Sequence, residues 1–323
     1  VGRTFYIFSS GRLERKENTL RFVKSSGEVH FIPINQVEEI YLFGEVDFNV
    51  KLLTFIARNE IVLHVFNHYG FYVGSFYPRE TNVSGTVIVK QVEHYLDKWK
   101  RLEIAREFVS SAVFNMRRVL SKRNLQKGVE SLKPIDEEIQ KVSTINDLLL
   151  VEAKAWRIYY SFFETITNWK FEERSFRPPE NPLNAMISFG NSLLYTAILK
   201  EIYYTQLHPA LSFLHEPFER RFSLCLDIAE IFKPILVDRL VFRMINEGMI
   251  TLNDFLREVN FAYLKERARK VFVNEFDKTL ETTVYHRNLR RKVSYRNLIR
   301  LELYKLIKHL IGDKKYKALR MWW

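Results

Sequence analysis

The chain has 323 residues, 47% of them hydrophobic, which is enough for two domains with separate cores and too apolar for a disordered chain. Its 50 Lys and Arg against 38 Asp and Glu give a formal charge of +12, which favours a polyanion such as nucleic acid over acidic small molecules. No apolar run approaches the roughly 20 residues of a spanning helix, VGRTFYIFSSGRL lacks a signal-peptide pattern, and a lone cysteine excludes an internal disulfide. The expectation is a soluble, cytoplasmic protein with no membrane association, in which Cys225, between Leu224 and Leu226, is a core residue.

Up to about residue 85 the pattern is β-like. The runs TFYIF, TLRFV, EVHFIPI, EEIYLFG, IVLHVF and FYVGSFY are rich in β-branched and aromatic residues and are separated by turn formers. One short helix is predicted over 49–58, and Gly74 and Pro78 lead through RETNVSG into a second regime. From 92 to 123 the spacing is helical with no Gly or Pro, and everything beyond reads as helix and loop. Breaks are expected at Lys133-Pro134, at RPPENP, at His208-Pro209, at Glu216-Pro217 and near Gly248. The predicted class is α+β: a small sandwich-like β domain over 1–85, then a larger all-α domain over 86–323. Exposed strand edges in the first domain suggest a homodimer formed through it.

The helix opening at Thr144, with Asp147 three residues on, carries a carboxylate on its apolar stripe. Glu152 has Leu148, Leu149, Ala155 and Trp156 as its helical neighbours, so it needs a cation, a metal or a proton; an arginine from another helix would serve equally. In SLCLDIAEIFK, Asp227 and Glu230 stand three apart on a helix, spacing that lets two carboxylates share one cation. Lys233 and Asp238 fall near the same side, so an ordinary solvated face explains the pair too. His215 lies in a loop between Pro209 and Pro217, and His208 is a weaker candidate of the same kind. No P-loop, GxGxxG, HExxH, multi-cysteine zinc motif or serine elbow is present. Near the end, Arg287, Arg290, Arg291, Lys292 and Arg296, interleaved with Tyr285 and Tyr295, form a candidate DNA-binding surface. Trp322 and Trp323 fit either a partner or the helical core. On the residues alone, a non-catalytic nucleic-acid-binding scaffold and a hydrolase of small phosphate esters both stay open; the charge disfavours the second.

Four stretches taken in order resemble the CRISPR-associated adaptation integrase family, a resemblance covering nearly the whole chain. They are LLLVEAKAWRIYY around Glu152, RPPENPLNAMISFGNSLLY with Asn184, LHPALSFLH ending in His215, and FSLCLDIAEIFKPILVDR. The resemblance implies a β-rich domain ahead of a helical catalytic domain. It also implies a catalytic metal site of Glu152, His215 and Glu230, with Asp227 as a further ligand or a group just behind them. Mg2+ or Mn2+ would then serve DNA cleavage and strand transfer from a 3'-hydroxyl, inserting short foreign fragments into a CRISPR array. The partners implied are double-stranded DNA, a second copy of the chain, and a small CRISPR adaptation protein bridging two dimers. The chain departs from the family at QLHP, where G-L-D-P is usual, at Ser212, where glycine is common, and at Lys233, which stands for an arginine.

Overall fold

The computed structural model describes residues 3–67, 69–78, 82–175, 179–217, 222–258 and 261–322. The chain folds as two compact units, one of residues 1–81 with 264–273, the other of 82–263 with 274–323. Parts of the RETNVSG and RPPENP breaks, and Trp323, lie outside the described residues.

In the first unit β1 (Arg3–Ile7), β5 (Val37–Leu42), β7 (Val62–Phe66) and β8 (Tyr72–Phe76) form one sheet in the order β1-β5-β7-β8. A second sheet runs β4 (Val29–Pro33), β3 (Thr19–Lys24), β2 (Gly11–Lys16) and β6 (Val46–Asp47). The β1–β5 and β5–β7 pairings are parallel, so β5 must cross over to reach β7, and α1 (Val50–Arg58), capped by the Asn49 side chain, lies in that connection. Leu13, Leu20 and Phe22 of one sheet, Ile40 and Leu63 of the other, and Leu52 of α1 bury into one core. Gly11 is required where β2 meets β3, because a Cβ there would strike the Val23 carbonyl. The strand β2 has no counterpart among the expected runs: in GRLERK only Leu13 is buried, and one apolar residue makes a faint alternation.

The second unit begins with α2 (Gly85–Leu96) and α3 (Lys98–Ser121), between which the helical run expected over 92–123 is divided. Asp97 separates them. Its backbone leaves the helical region, and its Oδ1 accepts from the Trp99 and Lys100 N–H groups, capping α3 in a chain with no Gly or Pro to mark the stop. The break expected at Pro134 is absent: α4 (Gln126–Lys141) runs through it, held by the buried stripe of Leu132, Ile135 and Ile139. Packing of that stripe outweighs one missing N–H.

Then come α5 (Ile145–Tyr160), capped by Thr144, the short α6 (Phe163–Thr167), and α7 (Pro182–Tyr203), with proline at its first position. After a loop, α8 (Ser223–Phe232) opens into a π-helical stretch over Lys233–Asp238 and resumes as α9 (Arg239–Asn246), which ends ahead of Gly248 at positive φ. The unit is not all-α. Strands β9 (Phe255–Glu258) and β10 (Phe261–Leu264) pair, α10 (Glu266–Glu281) follows with its first part, to Val273, belonging to the other unit, and β11 (Thr283–His286) pairs with β12 (Arg291–Ser294) before α11 (Tyr295–Leu310). The β11–β12 hairpin turns through Arg290 at φ 51°, a left-handed residue the sequence does not advertise. Among the described residues no helix is long and apolar enough to cross a membrane.

Asp97→Ala should lower stability by about 1 kcal/mol, the usual worth of an N-cap, read as a lower midpoint of thermal unfolding, while Asp97→Asn should recover most of the loss.

Candidate metal centre

The acidic helix face is buried. Asp227 is 0% and Glu230 2% exposed, and within α8 only Leu226 is less than fully buried, so the solvated-face explanation fails. Cys225 is buried as expected, and burial pushes its thiol well above the usual range.

Asp227 organises the histidine loop. Its Oδ2 accepts from the N–H groups of Phe213 at 2.6 Å and Leu214 at 3.0 Å; its Oδ1 accepts from the His215 N–H at 3.0 Å and lies 2.8 Å from His215 Nδ1. Both oxygens are therefore committed within the protein, which suits a group that holds the histidine better than one that ligates an ion. With Nδ1 taken, Nε2 is the free ligating nitrogen, and the side chain is 29% exposed, enough for it to meet a ligand.

More distant residues fix the same loop. Gln91 on α2 donates to the carbonyls of His208 and Leu211 and accepts from the His208 N–H. Arg101 on α3 donates to the Phe213 carbonyl and to Glu216. The Ser212 hydroxyl, standing where the family favours glycine, donates to the His215 carbonyl at 2.6 Å. His208 is exposed, and its Nδ1 accepts from the Ala210 N–H, so it serves the loop turn. Gln91 and Arg101 were not anticipated, because only the fold brings α2 and α3 to this loop.

Glu152, on α5, faces Glu230. Burial, then the charge of Glu230, raises the Glu152 carboxyl to about 8, while Lys233 and His215 draw it down. Glu230 itself accepts from Trp156 Nε1 at 2.8 Å and from Lys233 Nζ at 2.5 Å, and that ammonium lies 5.4 Å from the Trp156 ring centroid. For His215, burial opposes the charged imidazolium, but the hydrogen bond and charge of Asp227, with Glu230 behind, prevail and raise its pKa. Deeper still, burial lifts Asp238 to about 8 against the pull of Lys233 and Arg174.

The four groups stand as two pairs, His215 with Asp227 and Glu152 with Glu230. Among the described residues no three His, Cys, Asp or Glu side chains converge in metal-binding geometry. The donors nonetheless fit a hard divalent ion: two carboxylates whose mutual repulsion retains a proton, one orientable imidazole, and a lysine ammonium as the nearest counter-charge.

Of the expected DNA-binding residues, Arg287, Arg290, Arg291 and Lys292 are exposed on or between β11 and β12, beside Tyr285 at 56% exposure. Two residues of that reading are used differently. The Arg296 side chain is 12% exposed and ion-paired to Asp277 and Glu281, and Tyr295 is a core residue whose hydroxyl accepts from Arg239. Trp322 packs edge-on against His286, with ring centroids 5.3 Å apart.

A β-rich unit and a helical unit, with paired carboxylates beside a loop histidine, are the frame in which the comparisons place CRISPR-associated nucleases. The profile of "CRISPR associated protein Cas1" matches residues 5–278. The chain is 54% identical to a CRISPR-associated endonuclease Cas1 of Moorella thermoacetica over 321 residues, covering 99% of this chain and 100% of that protein. It is 45% identical to the CRISPR-associated endonuclease Cas1 of Fusobacterium nucleatum, covering 99% and 97%. A solved CAS1 protein from Thermotoga maritima superposes with a TM-score of 0.90 at 42% identity, covering 98% of this chain and 100% of that one. The chain belongs to the Cas1 family.

Glu152 and Asp238 bind a proton more tightly folded than unfolded, so each withdraws stability as pH rises from its ordinary carboxylate value towards 8, and the full cost stands above that. An ion that replaces the Glu152 proton relieves only that part. Mn2+ should therefore raise the unfolding midpoint more at about pH 8.5 than at about pH 6, and Glu152→Gln should remove the difference. Asp227→Ala, which strands the N–H groups of residues 213–215, should destabilise by several kcal/mol at about 1–3 kcal/mol per buried orphan, measured by chemical denaturation.

Proposed function

We propose that this chain is a divalent-metal-dependent DNA endonuclease and integrase of CRISPR adaptation, joining short foreign DNA fragments to a CRISPR array through a fragment's 3'-hydroxyl. The observation that carries the reading is the Glu152–Glu230 pair, two carboxyls facing each other with Glu152 raised to about 8 by burial and then by the charge of Glu230, beside a histidine fixed by Asp227. Relatives that match over 97% or more of their length are themselves named CRISPR-associated endonucleases.

Glu152, Glu230 and His215 Nε2 would hold Mg2+ or Mn2+. Once bound, the ion would supply Lewis acidity to a scissile phosphodiester. Asp227 keeps the imidazole in the tautomer and orientation that present Nε2, and Trp156 and Lys233 hold the Glu230 carboxylate in one rotamer. In cleavage a water oxygen bonds to phosphorus and a DNA oxygen leaves. In strand transfer a 3'-hydroxyl replaces the water, so one P–O bond forms as another breaks and no nucleotide cofactor is needed.

The exposed Arg287, Arg290, Arg291 and Lys292 supply phosphate contacts on double-stranded DNA, and Tyr285 a stacking face. The N-terminal β domain, residues 1–85 in this reading, is the homodimer interface, and a small CRISPR adaptation protein bridges two dimers while residues 86–323 carry catalysis.

Glu152→Ala or His215→Ala should lower Mn2+-dependent cleavage and strand transfer on branched DNA by at least 100-fold while leaving duplex affinity within about threefold. Replacing Arg287, Arg290, Arg291 and Lys292 with alanine should instead weaken binding and flatten its salt dependence. If EDTA leaves the wild-type activity unchanged, the metal assignment is wrong; DNA binding without any cleavage or joining would favour the scaffold.

A further inference from the structure

The helix that carries Glu230 is interrupted where it matters. Pro234, four residues on, has no N–H for the Glu230 carbonyl, and the ladder passes to π spacing over Lys233–Asp238. The neighbouring Ile231 carbonyl takes a hydrogen bond from outside, from Asn115 Nδ2 of α3 at 3.0 Å.

Asn115 is fully buried, and both ends of its amide are engaged. Nδ2 also donates to the Leu319 carbonyl at 3.2 Å, while Oδ1 accepts from the Met321 N–H at 2.9 Å. Two carbonyls on the nitrogen and an N–H on the oxygen leave one orientation for the amide.

Leu319 and Met321 belong to an irregular strap, residues 312–322, that follows α11 and lies along a single face of α3. Lys315 pairs with Glu103 at 2.5 Å, Lys317 with Glu107 at 2.6 Å, the Leu319 carbonyl accepts from Ser111, and Met321 reaches Asn115. The strap advances two residues for every four on the helix. An extended chain covers about 6.6 Å in two residues and a helix about 6 Å in four, so the contacts stay in step over three turns. Glu302 of α11 secures the middle of the strap by accepting from the Tyr316 hydroxyl and the Leu319 N–H.

Resting on the metal-centre reading above, we propose that Asn115 is a positioning residue of that centre. It ties the helix at the Ile231 carbonyl, next to the Glu230 carbonyl that Pro234 leaves without its α-helical donor, and so sets the direction of Glu230; the strap holds the Asn115 amide in place. Asn115 meets neither ion nor DNA in this arrangement; it acts through the Ile231 carbonyl.

The test is Mn2+ binding to the full chain by isothermal titration calorimetry, with thermal unfolding in EDTA alongside. Asn115→Leu keeps the branched outline of the side chain and removes all four bonds of its amide. It should bind Mn2+ about tenfold more weakly, the lower end of what supporting groups contribute to metal affinity. Asp97→Ala, destabilised at a helix cap and not a member of the site, should keep wild-type affinity, which separates positioning from loss of stability. Wild-type Mn2+ affinity in a folded Asn115→Leu overturns the proposal. If that variant shows no cooperative unfolding, Ser111→Ala decides: it loosens the strap at Leu319 and removes the long Asn115 Nδ2 contact with the Ser111 hydroxyl at 3.5 Å, and a two- to threefold weaker Mn2+ affinity supports the proposal while an unchanged one overturns it. A wild-type chain that binds no Mn2+ removes the metal centre and this inference with it, a result distinct from an unaltered variant of a binding protein.

Discussion

The carboxylate of Asp227, with no exposure to solvent, accepts from three consecutive backbone N–H groups and pairs with the ring of His215. A buried anion in that situation is stabilised by the donors that converge on it, and the loop gains a fixed path in return. Much else follows from this one anchor. The loop before α8 takes its shape from it, the imidazole its tautomer, and α8 its closeness to the loop. The Ser223 hydroxyl and Leu224 N–H, bonded to the Ala210 and Pro209 carbonyls, add to the same junction at a helix start that has no side-chain cap.

Against this well-satisfied anion stands a poorly satisfied pair. Glu152 and Glu230 face each other with the Lys233 ammonium paired to Glu230, and burial with the charge of Glu230 raises Glu152 to about 8. Lys233 is a single point charge, where an arginine fork would bind both oxygens of one carboxylate. The site thus combines a rigid histidine with a pair of carboxylates that repel each other. A divalent ion bound there, as proposed above, would displace the Glu152 proton.

Glu152 was legible in the sequence because its exception is local: four apolar neighbours at helical spacing put a carboxylate on the packed face of the helix, where it is half-buried, and the helix cap at Thr144 fixes the register. Asp227 and Glu230 were not legible in the same way. Their burial comes from α3 and α7 packing over α8, a long-range fact that makes the same pattern either a wet surface or a dry site. Family resemblance, not periodicity, brought them into the site. Arg296 and Tyr295 failed for the converse reason, since a basic run says nothing of Asp277, Glu281 and Arg239, which arrive from other elements. The β-rich beginning was clear from composition, yet its parallel β1-β5-β7 order was not, because alternation gives the faces of a strand and not its neighbours. Asp97 and Pro134 reverse the usual punctuation, a cap ending a run without breakers and a proline failing to end one.

The π-helical stretch over Lys233–Asp238 carries one more residue than an α-helix of the same span. In terms of chain length, the segment has a counted register. Deleting that residue would let the ladder close with α spacing over the same span, and the residues downstream would stay in phase with α8. Arg239, Phe242 and Ile245 would keep their faces, and the change would fall on the turn itself, where Lys233 and the buried Asp238 stand. A deletion in the regular turns of α8 or α9 would instead rotate everything beyond it by about 100°. The π turn is therefore the one place in this helix where a residue of length can be lost without re-addressing the side chains that follow, and homologous stretches should be aligned with a one-residue gap allowed here.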